Sequence, residues 1–411
     1  MNHLMTRLAI AVALSLAGAA ARAADAPLDF RADLITVRHG FDLKTCWVHA
    51  RAGIIPAGAA GNPSAGPLAV MTMQKLLLTG SDVFYGLNSM VSTDLGRTWT
   101  DPQPQAAMAR RDEGDGVEAV VANFTPKWHA ATGRLLGTGN LLRYKGDKLL
   151  PGRRAEVSWS VYDPAARTWS APGVLALPDE AKFQMATAGC TQRVDLPGGD
   201  TLLPIYFRAS DATRSSATVV RCRFDGHALK YLEHGTELTE PEARGYGEPS
   251  LAQFRGRFYL TLRHDKFGAV AASADGLHFD APRKWTFDDG SDLGNYNTQQ
   301  HWVTHSDGLF LVYTRRGANN DRVFRHRAPL FIARVDPEKL CVIRATERAI
   351  VPERGARLGN FGVTDVGPGE TWVTVAEWMQ PRGVEKYGGD NAVYVARLIW
   401  SKPNGQMEAG R

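Results

Sequence analysis

Apolar and polar positions alternate along this chain in short runs, and turn-forming residues break them every eight to twelve positions. Phe258 to Leu262, Leu309 to Tyr313, Thr371 to Val375 and Val393 to Leu398 alternate or are continuously apolar, the signatures of half-buried and fully buried strands. No helical period is sustained, so the pattern predicts an all-β fold. One unit recurs: a turn glycine, then apolar residues at alternating positions, then a polar tip. It starts at Gly66, Gly133, Gly199, Gly256, Gly308 and Gly369, at spacings of 52 to 67 residues. One blade-like sheet cannot bury both of its faces, whereas sheets packed in a ring can. The repeat therefore predicts a six-bladed β-propeller of four-stranded antiparallel blades.

Within that pattern, Gly245 to Arg263 reads as a hairpin. With Arg255-Gly256 as a two-residue turn, Glu248 falls opposite Arg263. Directly opposed side chains lie roughly 5 Å apart at Cβ, which pairs a carboxylate with a guanidinium at the open end. Alone, such a pair reads equally as an ordinary surface ion pair.

Composition changes the picture in three places. Arg7, the apolar run Leu8 to Leu16 and Ala21-Arg22-Ala23 predict a cleavable leader over residues 1–23 and hence a periplasmic or secreted protein. The run is too short for a lasting membrane span. No linker or charge block divides residues 24–411, which are expected to form one domain. Loss of Arg7 and Arg22 lowers the formal charge from +5 to +3. With no basic run interleaved with aromatics, nucleic acid is not the expected partner, and the balance suits an acidic small substrate. Cys46, Cys190, Cys222 and Cys341 stand singly, which argues against a zinc finger. Cys190 and Cys222 are the pair to consider for a disulfide, with buried thiols the equal alternative. Asp288 to Asp292 reads as a polar turn rather than a calcium loop. Phosphate-binding, nucleophile-elbow and dinucleotide motifs are missing, so no cofactor is expected.

Ser92-Thr93-Asp94-Leu95-Gly96-Arg97-Thr98-Trp99 matches the Asp-box pattern S-x-D-x-G-x-T-W. Its aspartate ties down turn backbone, its glycine permits positive φ and its tryptophan packs between strands. Ser273 to Phe279 is a degenerate second copy and Asp163 to Trp169 a weaker third. Asp94 and Asp275 are read as structural.

Together with the six-unit period and the Glu-Pro…Arg hairpin, these boxes resemble the sialidase (neuraminidase) superfamily over nearly the whole chain after the leader. The resemblance implies a glycosidase that holds the carboxylate of a terminal acidic sugar with three arginines. It places Arg51 first, in the altered setting Arg51 to Pro56, Arg263 second and Arg327 third, with Arg325 as a rival. It implies Asp82 as acid/base, as the one acidic residue between Asp42 and Asp94, and Glu248 as the group that activates a tyrosine nucleophile. The segment from Arg327 to Tyr387 holds no earlier tyrosine, so Tyr387 takes that role by position, with Tyr246 as an alternative. Two other readings stand beside this one. His301 and His305 share a strand face, and His49, His129 and His264 fall near blade ends. Histidine could thus transfer protons in a lyase or exo-glycosidase acting on uronic-acid glycans, with His301 at the substrate. A propeller that binds glycans without catalysis is the third reading.

Overall fold

The computed structural model describes residues 27–80, 82–150 and 155–408. The leader expected over residues 1–23 lies outside them. Strands form six antiparallel sheets. Every glycine-led unit of the sequence becomes the second strand of a different sheet: Leu68–Leu77, Arg134–Lys145, Asp200–Arg208, Arg257–Arg263, Gly308–Tyr313 and Glu370–Ala376. Each pairs on its inner side with one strand of a second set: Thr45–Ile55, Val117–His129, Met185–Thr187, Gly247–Phe254, His301–His305 and Gly362–Gly367. Three of the sheets have four strands, and the others carry five or seven.

The arrangement is propeller-like, because the core lies between sheets and not at a common centre. Val70 and Val91 pack against Val121 and Leu141 across the first interface. Leu202 and Val219 meet Leu251 and Leu260 at another, and Tyr259 and Val270 meet Trp302 and Leu311 at the next. A strand covered on both faces is mostly apolar, and Thr45–Ile55 is buried over all but its first residue, with His49 and Arg51 as its buried polar members. Edge strands are short and polar instead: Gln103–Pro104 and Arg283–Lys284 on the outer side and Arg111–Asp112 beside an inner strand are exposed, which protects the edges from further pairing. Strand Phe30–Arg38 pairs with Val393–Trp400, so the first and last strands described share one sheet, with Phe30 opposite Trp400. No helix among the described residues is long and apolar enough to cross a membrane.

The motif turns lie at sheet corners. Asp94 accepts the Thr98 N–H at 2.9 Å and its hydroxyl at 2.6 Å, and Trp99 Nε1 donates to Gly96 O at 3.1 Å. Asp275 accepts Leu277 N and His278 N at 2.9 and 2.8 Å. All four cysteines are buried free thiols, so Cys190 and Cys222 are not bridged.

The inner strands share an irregularity that shapes the axis. His49, Asn123, Cys190, Glu248 and Asn297 belong to or adjoin inner strands, and each has φ between +43° and +61°. In the first, second and fourth sheets the residue sits where the register shifts. A bulge re-aims its side chain, and a left-handed non-glycine residue costs about 1–3 kcal/mol. The hairpin shows the effect. Pairing runs as expected from Phe254–Arg257 to Ser250–Thr261, then slips so that Gly247, not Glu248, lies opposite Arg263.

The tip of this hairpin is itself left-handed at both central residues, Arg255 (φ +49°) and Gly256 (φ +78°). Asparagine tolerates that conformation better than arginine. Arg255→Asn is expected to raise unfolding stability by roughly 0.5–1 kcal/mol, read as a higher melting temperature. An unchanged or lower value would contradict the turn assignment.

Candidate active site

Around the axial end of that hairpin lie five arginines from three sheets or their adjoining loops. Arg263 is ion-paired to Glu248, and both side chains are largely buried. Arg244 is paired to Asp265, Nε to Oδ2 at 2.8 Å. The remaining three, Arg325, Arg327 and Arg357, make no ion pair with a carboxylate among the described residues. Arg327 is buried and donates to the backbone oxygen of Asn297, while its Nε has no partner. Arg357 is buried, donates to Gln380 Oε1 at 3.1 Å, lies over the Trp378 ring at 4.5 Å, and also leaves Nε unmet. Arg325 reaches Asn297 Oδ1 at 3.5 Å.

Asn297 is the hub. Its Oδ1 also accepts from Arg263 at 2.6 Å and from Arg244 at 3.4 Å, so one neutral oxygen faces three guanidiniums. Burial lowers the pKa of Arg327, and the neighbouring charges of Arg263 and Arg357 lower it further. Burial followed by Arg263 does the same to Arg325. Burial brings Arg357 down to about 10, with Asp82 opposing the shift. A guanidinium nevertheless stays charged in a protein, so these shifts express a demand for counter-charge.

Asp82 is exposed, at the mouth of the cluster. Its charge supports the protonated forms of Arg357 and Arg325, and its backbone oxygen accepts the Tyr144 hydroxyl at 2.6 Å. Taken as pairs, Arg263 with Glu248 and Arg244 with Asp265 cancel. Three guanidiniums then face one carboxylate, which leaves a local excess of two positive charges.

The other expected residues lie elsewhere. Arg51 is wholly buried below the cluster, where Nε donates to Phe361 O at 3.2 Å and Nη2 to Gln299 Oε1 and Cys190 Sγ, both at 3.0 Å. Nη1 reaches Phe124 O at 3.5 Å, so at most one of its five N–H groups is uncommitted and none faces solvent. The expectation that it clamps substrate directly is therefore corrected: Arg51 ties the axis together from beneath. Tyr387 is 43% exposed, on the short helical turn Val384–Tyr387, with Arg322 over its ring at 5.9 Å. Among its recorded contacts none is with Glu248, Arg263 or Asp82. Tyr246 is buried against His264.

His301 is also buried. Gln299 Nε2 donates to its Nε2 at 2.7 Å, which leaves the Nδ1 proton for Ser250 Oγ at 2.7 Å. Burial, then Arg51, pushes its pKa well below the usual value, so the ring is neutral and closed to substrate. His305 bonds to Lys402 O, His129 to Thr132 and His264 to Glu242 O.

Sequence reasoning missed Asn297, Arg357 and Tyr206. Tyr206 belongs to strand Asp200–Arg208, and its ring lies beside Gly247. Burial raises its phenol pKa, and the adjacent charge of Glu248 raises it further. This phenol, on the sheet next to the hairpin, therefore feels the charge of the hairpin carboxylate.

No family model matches the chain, and no curated protein matches it by sequence. Solved structures do. A Dyadobacter fermentans protein of unknown function aligns over 90% of this chain and 99% of its own, at 15% identity and a TM-score of 0.62. The Hadza microbial sialidase Hz136 aligns over 89% of this chain and 68% of its own, at 12% identity and a TM-score of 0.62. Trypanosoma rangeli sialidase follows, with 88% and 56% covered, 14% identity and a TM-score of 0.56. The fold is that of the sialidase β-propellers. At these identities the likeness concerns architecture, and the chemistry rests on the site itself.

The charge excess can be tested without a substrate. Asn297→Asp supplies a carboxylate among the guanidiniums and is expected to raise the melting temperature. A small carboxylate such as acetate should stabilise the wild type by mass action, and the variant less. A variant that melts lower, or that retains the full ligand shift, would contradict the account.

Proposed function

We propose that this chain is an exported glycoside hydrolase, a single six-bladed propeller that removes a terminal acidic sugar of the sialic-acid type from glycans. The observation that carries the reading is the cluster of Arg325, Arg327 and Arg357 beside the Arg263–Glu248 pair, with buried guanidinium N–H groups unmet. Each guanidinium donates paired hydrogen bonds in one plane, the geometry a carboxylate accepts. The likeness to sialidases supports the same direction. Export rests on the leader-like residues 1–23.

In this reading Arg263 and Arg327 hold the sugar carboxylate, Arg325 and Arg357 add counter-charge, and Arg51 braces the floor. Asp82, at the mouth, gives its proton to the leaving oxygen as the glycosidic bond breaks. Tyr206 replaces Tyr387 as nucleophile: its oxygen bonds to the anomeric carbon while its proton passes to Glu248. Water, deprotonated by Asp82, then displaces the tyrosine, and Glu248 returns the proton. Pairing the phenol with an adjacent carboxylate removes the need for free phenolate, which burial disfavours.

The test is turnover of fluorogenic sialosides, with uronic-acid oligosaccharides run alongside and monitored for unsaturated product. Sialoside hydrolysis is expected, and turnover of the uronic-acid substrates alone would overturn the assignment. Tyr206→Phe should lower kcat on the order of 1,000-fold or more, a loss of about 4 kcal/mol in transition-state stabilisation, while Tyr387→Phe stays near wild type. The reverse ranking would return the role to Tyr387. Asp82→Asn should cripple substrates with poor leaving groups and spare activated ones, and equal losses on both would remove Asp82 as the acid.

A further inference from the structure

The axis has a second mouth, opposite the arginine cluster, and it opens into a cavity of about 670 Å³. All six sheets contribute to it, from Ile54 in the first round to Asp365 in the last, and the C-terminal segment Asn404 to Met407 forms part of its wall. That segment is firmly held. Asn404 Nδ2 donates to Thr304 O at 2.9 Å, Asn404 Oδ1 accepts from Ser306 N at 2.9 Å, and Asn404 N donates to Pro368 O at 2.7 Å.

Several charged side chains of this cavity keep hydrogen-bonding capacity: Lys127, Asp365, and Asp195, whose buried Oδ2 accepts no hydrogen bond, with Arg255 at the exposed turn. Lys127 gives one bond, to Arg193 O at 2.8 Å, and stands 3.9 Å from Asp195. An ammonium has three donors, so two remain. Its side chain is 46% open, yet the protein surrounds it and burial lowers its pKa, so the open surface is that of the cavity. Asp365 lines the same space, accepts a single bond from Thr371 Oγ1 at 2.8 Å, and feels the Lys127 charge. Burial raises its pKa, while the Thr371 bond and the Lys127 charge oppose the shift. By contrast Arg193 is spent on Asp195, Leu136 O and Lys127 O, and so belongs to the wall. Trp128 borders the cavity while packing against the core between the first two sheets, and Gln253 sits exposed at the rim.

We propose that this second axial cavity is a binding site for a neutral saccharide of one or two sugar units, held between Lys127 and Asp365 against Trp128. A hydroxyl accepts from an ammonium and donates to a carboxylate through the same oxygen, and a sugar presents several on a frame with apolar faces. The volume falls within the range of small-ligand sites, about 300–1,000 Å³. A simple anion would satisfy Lys127 but meet Asp365. This site stands apart from the acidic-sugar reading: it shares no residue with the arginine cluster and needs no carboxylate on its ligand.

The test uses D-galactose, a neutral probe with nothing for the arginines to clamp, followed by saturation-transfer NMR and calorimetry on the full chain. Saturable binding is expected, at a Kd on the order of millimolar. Lys127→Met and Asp365→Asn should each weaken it on the order of tenfold or more, while Arg263→Lys leaves it unchanged. Gln253→Trp, a change at the exposed rim that spares the interior, should block entry if either inner variant fails to fold. Lack of saturable binding by the wild type overturns the proposal. So does binding that survives Lys127→Met, Asp365→Asn and Gln253→Trp in folded protein, or that disappears with Arg263→Lys.

Discussion

Positive charge without its counter-charge is the constraint around which the axial site is built. Bringing guanidiniums out of water and beside one another is unfavourable on both counts, and a fold tolerates it where other interactions over-determine the arrangement. Here Glu248 neutralises Arg263, Asp265 neutralises Arg244, and the amide of Asn297 spreads its oxygen over three arginines. Arg327 and Arg357 keep unmet buried donors even so. An arrangement that costs stability in the empty state is one that an anionic ligand completes.

The means of assembling it lies in the sheets. Ring packing presents the inner strands side by side, and the left-handed residues His49, Asn123, Cys190, Glu248 and Asn297 turn side chains off the regular alternation. Below the cluster the same device makes a hydrogen-bonded floor: the Arg51 guanidinium bonds to Cys190 and Gln299, Gln299 bonds to His301, and Cys190 bonds to Asn123. Arg51 is thus charged but satisfied by dipoles and a thiol, whereas the arginines above it are not. Unmet donors, and not residue type or burial, separate Arg327 and Arg357 from Arg51.

Much of the fold could be read from the sequence because local signals carry it. Glycine-led alternating units became the second strand of each sheet, and the Arg255-Gly256 turn set the hairpin register as far as Ser250. The Glu248–Arg263 contact was legible too, although a bulge, invisible to pairing arithmetic, delivers it. What escaped is non-local. Asn297 is one polar residue in a loop until arginines from distant segments converge on it. Tyr206 lies on an ordinary strand whose neighbour across the sheet boundary is Gly247. Arg51 looked like a ligand because sequence does not display burial, and His301 looked reactive because alternation places it on a face without saying what covers that face.

The central claim is that the cluster recognises a carboxylate. The most direct measurement is calorimetric: the affinity of N-acetylneuraminic acid against that of its methyl ester, which keeps the sugar and removes the charge. Loss of a charge-assisted contact is worth roughly 1.5–3 kcal/mol, so the ester should bind at least about tenfold more weakly, and the acid's advantage should shrink as salt is raised. Equal affinities for acid and ester at low salt would contradict the account.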